Sequence, residues 1–149
     1  MANITWPSDT VTVIDSIRDA IGRDITWYVV ASSAPCTNPL CHLDIVTNTS
    51  TNSFCPTCSG HYWIYTYSGV ITNAHVTWGF SEHLGWVTGG QLPEGDCRVQ
   101  IKYTITNLSA VENAKWVEVD GKIMEIKHKD LRGVQSINRI LVDLKQSEE

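Results

Sequence analysis

Apolar and polar positions change their period twice along the chain. Over residues 8–22 the apolar side chains recur at helical spacing, with Ile14, Ile17 and Ile21 on one face and Val13 and Ala20 beside them. That pattern predicts a short amphipathic helix. Ser8 is its expected cap, Asp9 falls in the first turn where a carboxylate is favoured, and Gly22 is its expected stop. The β-branched run from Val11 to Ile14 leaves a strand over residues 10–14 as the rival reading. After Arg23-Asp24 the period drops to two. Ile25, Trp27 and Val29 face one side and Thr26, Tyr28 and Val30 the other, as in a strand covered on both faces.

Residues 32–61 have no period at all, carry four of the five cysteines, and include the polar loop from Thr47 to Ser53. Such a shift in composition marks an inserted module. Tyr62 to Tyr67 is aromatic and extended, and the remainder reads as successive strands. Val70, Thr72, Ala74, Val76 and Trp78 alternate with polar partners, and so do Val99, Ile101, Tyr103 and Ile105. Val117 to Ile126 forms a hairpin around Asp120-Gly121, a pair suited to the left-handed turn that joins twisted strands. A closing strand holds Ile140, Val142 and Leu144, while Gly89-Gly90 and Gly95-Asp96 punctuate the stretch before it. With little helix after residue 22, the expected fold is mainly β: a small antiparallel barrel or sandwich. Residues 1–31 would hold the N-terminal helix and first strand, 32–68 a zinc-ribbon insertion, and 69–149 the barrel.

Composition narrows the classes of function. The 149 residues are 42% hydrophobic and 18% charged, an ordinary balance for a chain that buries a core, and the formal charge is −5. Affinity for nucleic acid or anionic lipid rests on clustered Lys and Arg, so this balance argues against a dedicated surface of that kind. The first residues lack the basic and apolar runs of a signal peptide, and no stretch approaches the roughly 20 apolar residues that span a bilayer. Synthesis in a reducing cytosol is the expectation, and there paired cysteines are more often metal ligands than disulfides.

Cys36 and Cys41 are separated by four residues, Cys55 and Cys58 by two, with thirteen residues between the pairs. Each close pair can form a tight knuckle whose backbone amides point at the sulfurs, and two knuckles complete a tetrahedral four-sulfur site of the kind zinc accepts for structural work. A closed shell leaves no position for water, so such a metal would fold the loop rather than catalyse. Disulfides remain the alternative for an exported protein. A mixed shell is another, because His42 follows Cys41 directly and His61 lies three residues after Cys58.

Cys55-Pro-Thr-Cys58 also has the form of a thiol redox pair, but the helix that lowers a thiol pKa there is replaced by a strand-like aromatic run. A zinc deaminase needs His-x-Glu upstream and a proline before its Cys-x-x-Cys, and both are missing. His75, His83 and His128 are scattered, and Glu82 beside His83 would point to opposite faces of a strand. Tyr62, Trp63, Tyr65 and Tyr67 could stack unpaired bases. Between Ala31 and Arg98, however, the chain has no Lys or Arg. Aromatic groups with so little charge suit a packed core or a protein interface. Cys97 stands apart and reads as a small buried hydrophobe.

Three features together resemble the neck proteins of tailed bacteriophages, the head–tail connector class of stoppers and adaptors. They are the Cys-Pro-x-Cys-x-Gly ribbon early in the chain, the run from Gly89 to Asp96 leading into an alternating strand, and Trp116 to Ile126 followed by the closing strand from Asn138 to Leu144. The resemblance implies a structural, non-enzymatic protein of the virion. It would form a homo-oligomeric ring between portal or adaptor and tail proteins, with DNA passing through and no membrane involved. Cys36, Cys41, Cys55 and Cys58 would then carry structural zinc.

Overall fold

The computed structural model describes residues 7–79, 95–133 and 136–147. The fold is mainly β, with a closed six-stranded antiparallel barrel and two helices. In chain order the elements are α1 (Thr10–Ile21), β1 (Arg23–Pro35), β2 (Leu43–Asp44), β3 (Thr49–Ser50), β4 (Trp63–Trp78), β5 (Cys97–Lys102), α2 (Ile105–Asn113), β6 (Ala114–Val119), β7 (Lys122–Arg132) and β8 (Arg139–Gln146). The barrel runs β1-β4-β5-β8-β7-β6, and β2 with β3 forms a separate hairpin. The chain divides into two compact units: residues Val29–Ser68, and the rest, which hold the barrel.

The barrel interior follows from the two-residue period. Ile25 and Trp27 of β1, Ala74 and Val76 of β4, Cys97, Val99 and Ile101 of β5, and Ile140, Val142 and Leu144 of β8 are all buried, as the alternation predicts. Trp27 is wholly enclosed, and its indole N–H donates to Thr72 Oγ1 at 2.7 Å, so the polar edge of the largest core side chain is satisfied. Outside the barrel, the Tyr28 ring stacks on Trp116 with centroids 5.3 Å apart, and its hydroxyl donates to Glu118 at 3.0 Å. These contacts tie β1 to β6. Arg98 and Asp143 are register partners on β5 and β8, and their side chains form a two-pronged ion pair at 2.6 and 3.0 Å.

The turn at Asp120-Gly121 is as expected. Both residues have positive φ (51° and 77°), and Val119 pairs with Lys122 across a two-residue loop. The Asp120 carboxylate also accepts from the Trp78 indole and pairs with Arg23, both at 2.9 Å. One turn residue thus pins the ends of two other strands.

Three local expectations are corrected. Ser8 does not cap α1; Asp9 occupies the cap position without a side-chain bond, and the Pro7 carbonyl accepts from the backbone N–H and hydroxyl of Thr10. The helix does end before Gly22, but in extended rather than left-handed geometry, because the chain passes straight into β1. A Cβ at Gly22 would lie 2.2 Å from Asn73 Oδ1 and 2.8 Å from the Arg18 carbonyl, so closeness, not φ, requires glycine. Lastly, Ile105 does not continue a strand. It begins α2, whose cap is Thr104: its hydroxyl accepts from the Asn107 N–H at 3.0 Å, and Ala110 and Val111 enter the core.

Gly89-Gly90 and the Glu82-His83 pair lie outside the described residues. Among those described, no helix is long and apolar enough to cross a membrane.

Candidate metal centre

The Val29–Ser68 unit has little apolar interior. Its buried cluster consists of Cys41, Cys55 and Cys58, with Cys36 and Tyr62 packed against them. Polar turns organise the chain around these side chains. The Asn38 side-chain carbonyl accepts from the Leu40 N–H and its backbone carbonyl accepts from the Cys41 N–H, both at 3.0 Å, closing the first knuckle. In the second, Cys55 N–H donates to the Asn52 carbonyl at 3.2 Å and Ser59 N–H to the Cys55 carbonyl at 2.8 Å. Ser59 and Gly60 then take left-handed conformations, with φ of 51° and 83°. A Cβ at Gly60 would lie 2.8 Å from the Ser53 carbonyl, so the turn after Cys58 has room for glycine alone.

Between the knuckles, β2 and β3 pair Leu43 with Ser50 and Asp44 with Thr49. Asp44 Oδ1 accepts from the Val46 N–H at 2.9 Å and the Thr47 N–H at 3.5 Å. Hydrogen bonds from Val46 and Thr47 hold its carboxyl below the usual range. The hairpin brings Ser50 back beside the first knuckle, with Ser50 Oγ 2.8 Å from Cys41 Sγ.

All four sulfurs lie within 4.8 Å of one another. Cys36 Sγ is 3.7 Å from Cys55 Sγ, and Cys41 Sγ is 3.5 Å from Cys58 Sγ. A tetrahedron with metal–sulfur bonds of about 2.3 Å has sulfur–sulfur edges of about 3.8 Å. The spacing therefore fits a metal ion and is far too long for a disulfide, and all five cysteines are free. Each close edge joins a cysteine of one knuckle to a cysteine of the other, so an ion there would bind the two halves of the unit together.

The electrostatics of the four thiols are uneven. At Cys55, desolvation opposes ionisation but yields to backbone N–H groups of Cys58 and Thr57 and to the neighbouring thiols, bringing it down to about 6. Cys58 also moves down: desolvation is outweighed by the Tyr62 and Gly60 N–H groups and the Cys41 thiol. At Cys36 the Asn38 amide favours the thiolate, yet desolvation and the other three thiols push it up to about 12. The Cys-x-x-Cys knuckle supplies anionic sulfur, and a cation is what would let the first pair ionise as well.

His42 and His61 do not belong to this group of ligand atoms, which contains cysteines only. Two polar side chains that touch the sulfurs were not foreseen from the spacing: Ser50 at Cys41, and Asn38, whose Nδ2 lies 3.4 Å from Cys55 Sγ. Asn38 stands inside the first knuckle in a turn-forming position, a readable signal. Ser50 reaches the site only through the β2–β3 pairing. His75 lies on β4 and His128 on β7, apart from the cysteines in sequence and in neither knuckle. Cys97 is wholly buried in the barrel, where desolvation first, and Asp120 and Asp96 after it, push its thiol up to about 12.

No family model, curated protein or solved structure matches the chain.

Proposed function

We propose that this protein is a non-enzymatic assembly component, in which a zinc-stapled ribbon presents an apolar, nearly uncharged surface to a neighbouring protein. The observation that carries the reading is the exposure of Leu40, Ile45, Val46 and Phe54, at 75, 89, 93 and 94%. Asp44 is the sole charged side chain between Val29 and Ser68, apart from two histidines. Large apolar groups exposed to solvent mark interaction sites, and a surface without charge costs little to desolvate.

Zinc suits the donor set. Four thiolates at tetrahedral spacing are the usual shell for structural zinc, with no position left for a substrate or water. Cys36, Cys41, Cys55 and Cys58 would hold it, and its contribution would be to order a loop with almost no apolar core of its own. The setting that fits the sequence resemblance is the neck of a tailed bacteriophage, with the barrel as a ring subunit between portal and tail. A closed barrel bearing an inserted ribbon agrees with that setting.

Native mass spectrometry with metal analysis tests the proposal. A homo-oligomer carrying one zinc per chain is expected. A zinc-loaded monomer would favour a detachable protein-interaction module instead of a ring. A metal-free protein with a freely titrating Cys55 thiolate would overturn both. Genes for portal and tail proteins beside this one are expected, and metabolic neighbours would remove the neck setting.

A further inference from the structure

Arginine side chains gather at one corner of the barrel. Lys102 at the end of β5, Arg139 at the start of β8 and Arg132 at the end of β7 are register partners in one row across three strands. Directly opposed residues in a sheet project from the same face, so this row places three cations side by side. Helix α1 adds a fourth. Asp15 pairs with Arg18 through Oδ1, and its Oδ2 lies 3.5 Å from Lys102 Nζ, which fastens α1 onto the row.

The carboxylates present do not satisfy this corner. Arg18 is 94% buried, and Asp15 engages one of its terminal nitrogens, leaving Nε buried with no acceptor among the described residues. Arg139 Nε is likewise buried with no acceptor. Asp130 is taken up by Arg132 at 2.7 Å. Desolvation, with Arg139 repelling against the attraction of Asp19, lowers the Arg18 pKa. Two like-charged guanidinium groups with orphaned N–H donors, in a chain of net charge −5, are hard to account for as a purely structural arrangement.

We propose that this corner is an oxyanion site of the phosphate type, formed by Arg18 and Arg139 with Lys102 at its open edge. A tetrahedral dianion supplies acceptors for donors on two separate elements and offsets their mutual repulsion, and guanidinium groups are suited to it. Lys102 is 56% exposed and gives the ligand an approach from solvent. The site lies wholly within the barrel unit and is independent of the cysteine cluster. A phosphate of this kind is either free or part of a nucleic-acid backbone, and one experiment separates the two.

The metal-loaded full chain is titrated with inorganic phosphate against sodium chloride of equal ionic strength, and followed by calorimetry and thermal unfolding. Phosphate is expected to raise Tm by about 2–4 °C near saturation. Arg139→Gln keeps a polar side chain at the strand end and is expected to weaken binding about tenfold or more. Lys102→Gln, at an exposed position, gives a smaller loss and covers the case in which the Arg139 variant folds poorly. A short single-stranded oligonucleotide that displaces phosphate identifies a backbone as the source, and failure to displace it identifies a free anion. A Tm no higher than in chloride, or a response undiminished in both variants, overturns the proposal.

Discussion

Single cysteines do two opposite jobs in this chain, and the surroundings of each sulfur decide which. Cys55 is held by amides that favour its thiolate, whereas Cys97 is wholly buried in the barrel core, where desolvation outweighs the favourable charge of Arg23. Cys55→Ser removes one corner of the shell and the knuckle charge with it, so bound metal should fall from about one per chain to none in a chromophoric release assay. Cobalt substitution separates the shells: the variants His42→Ala and His61→Ala should leave the thiolate-to-metal charge-transfer band unchanged. Cys97 carries a pH prediction of definite sign. Its folded pKa lies near 12, above the 9.0 of an unperturbed thiol, so it is neutral in both states below about pH 9 and costs nothing there. Above that, the unfolded chain ionises first and stability drains away until the folded thiol also titrates. In urea melts the stability of wild type relative to Cys97→Ala should decline by about 1 kcal/mol per pH unit between pH 9 and 11. A constant difference would show that the thiol is not desolvated. Close pairs and a lone cysteine in an alternating strand are legible as spacing, and the structure brings the four paired cysteines together and buries the lone one. Spacing missed Ser50, which lies nine residues from Cys41 and reaches that sulfur only through strand pairing.

At the scale of elements, the most informative departure is α1. An amphipathic helix ordinarily turns its apolar stripe to the core. Here Val13, Ile17 and Ile21 are 49, 56 and 58% exposed, while Arg18 is the buried residue. The periodicity predicted the helix correctly but not which face it shows, because Asp15 is drawn to Arg18 and Lys102 and fixes the helix by its polar seam. Ile17→Ser should therefore change stability by no more than about 0.5 kcal/mol in denaturant melts, the range of surface positions. A buried isoleucine replaced by a small residue would lose about 2–5 kcal/mol, and a loss of that size would refute the exposed stripe. Helix α2 was missed for a different reason. Ile105 continues the apolar alternation of Ile101 and Tyr103, and that overrode the cap signal of Thr104. Thr104→Ala should cost about 1 kcal/mol, because the Asn107 N–H loses its acceptor.

For the whole molecule, the decisive fact is that its two units bury different things. The barrel core runs from Ile25 to Leu144 without a single residue from the 29–68 stretch, and the core of that stretch is three buried cysteines with Cys36 and Tyr62. A small antiparallel barrel or sandwich was legible in the strand alternation, and closure is decided by the strand order, in which β1 and β6 end up as neighbours. What links the two units energetically follows from which core each loses. Removing the proposed metal would deprive the Val29–Ser68 unit of an interaction that joins its two knuckles, and no apolar side chain stands ready to replace it: Leu40, Ile45, Val46 and Phe54 all face solvent. The barrel's buried core contains none of these residues. Chelation should therefore open amide exchange across residues 36–61 by orders of magnitude, since a structural metal contributes on the order of 10 kcal/mol or more. The exchange of Trp27, Val99, Ile101 and Val142 should stay at its original rate, and the main thermal transition should move by no more than about 3 °C. Hydrogen exchange read by mass spectrometry, with and without chelator, resolves the two segments in one experiment. Simultaneous loss of protection in both would mean that the cysteine cluster supports the barrel itself, and the ribbon would then be a fold determinant rather than a presented surface.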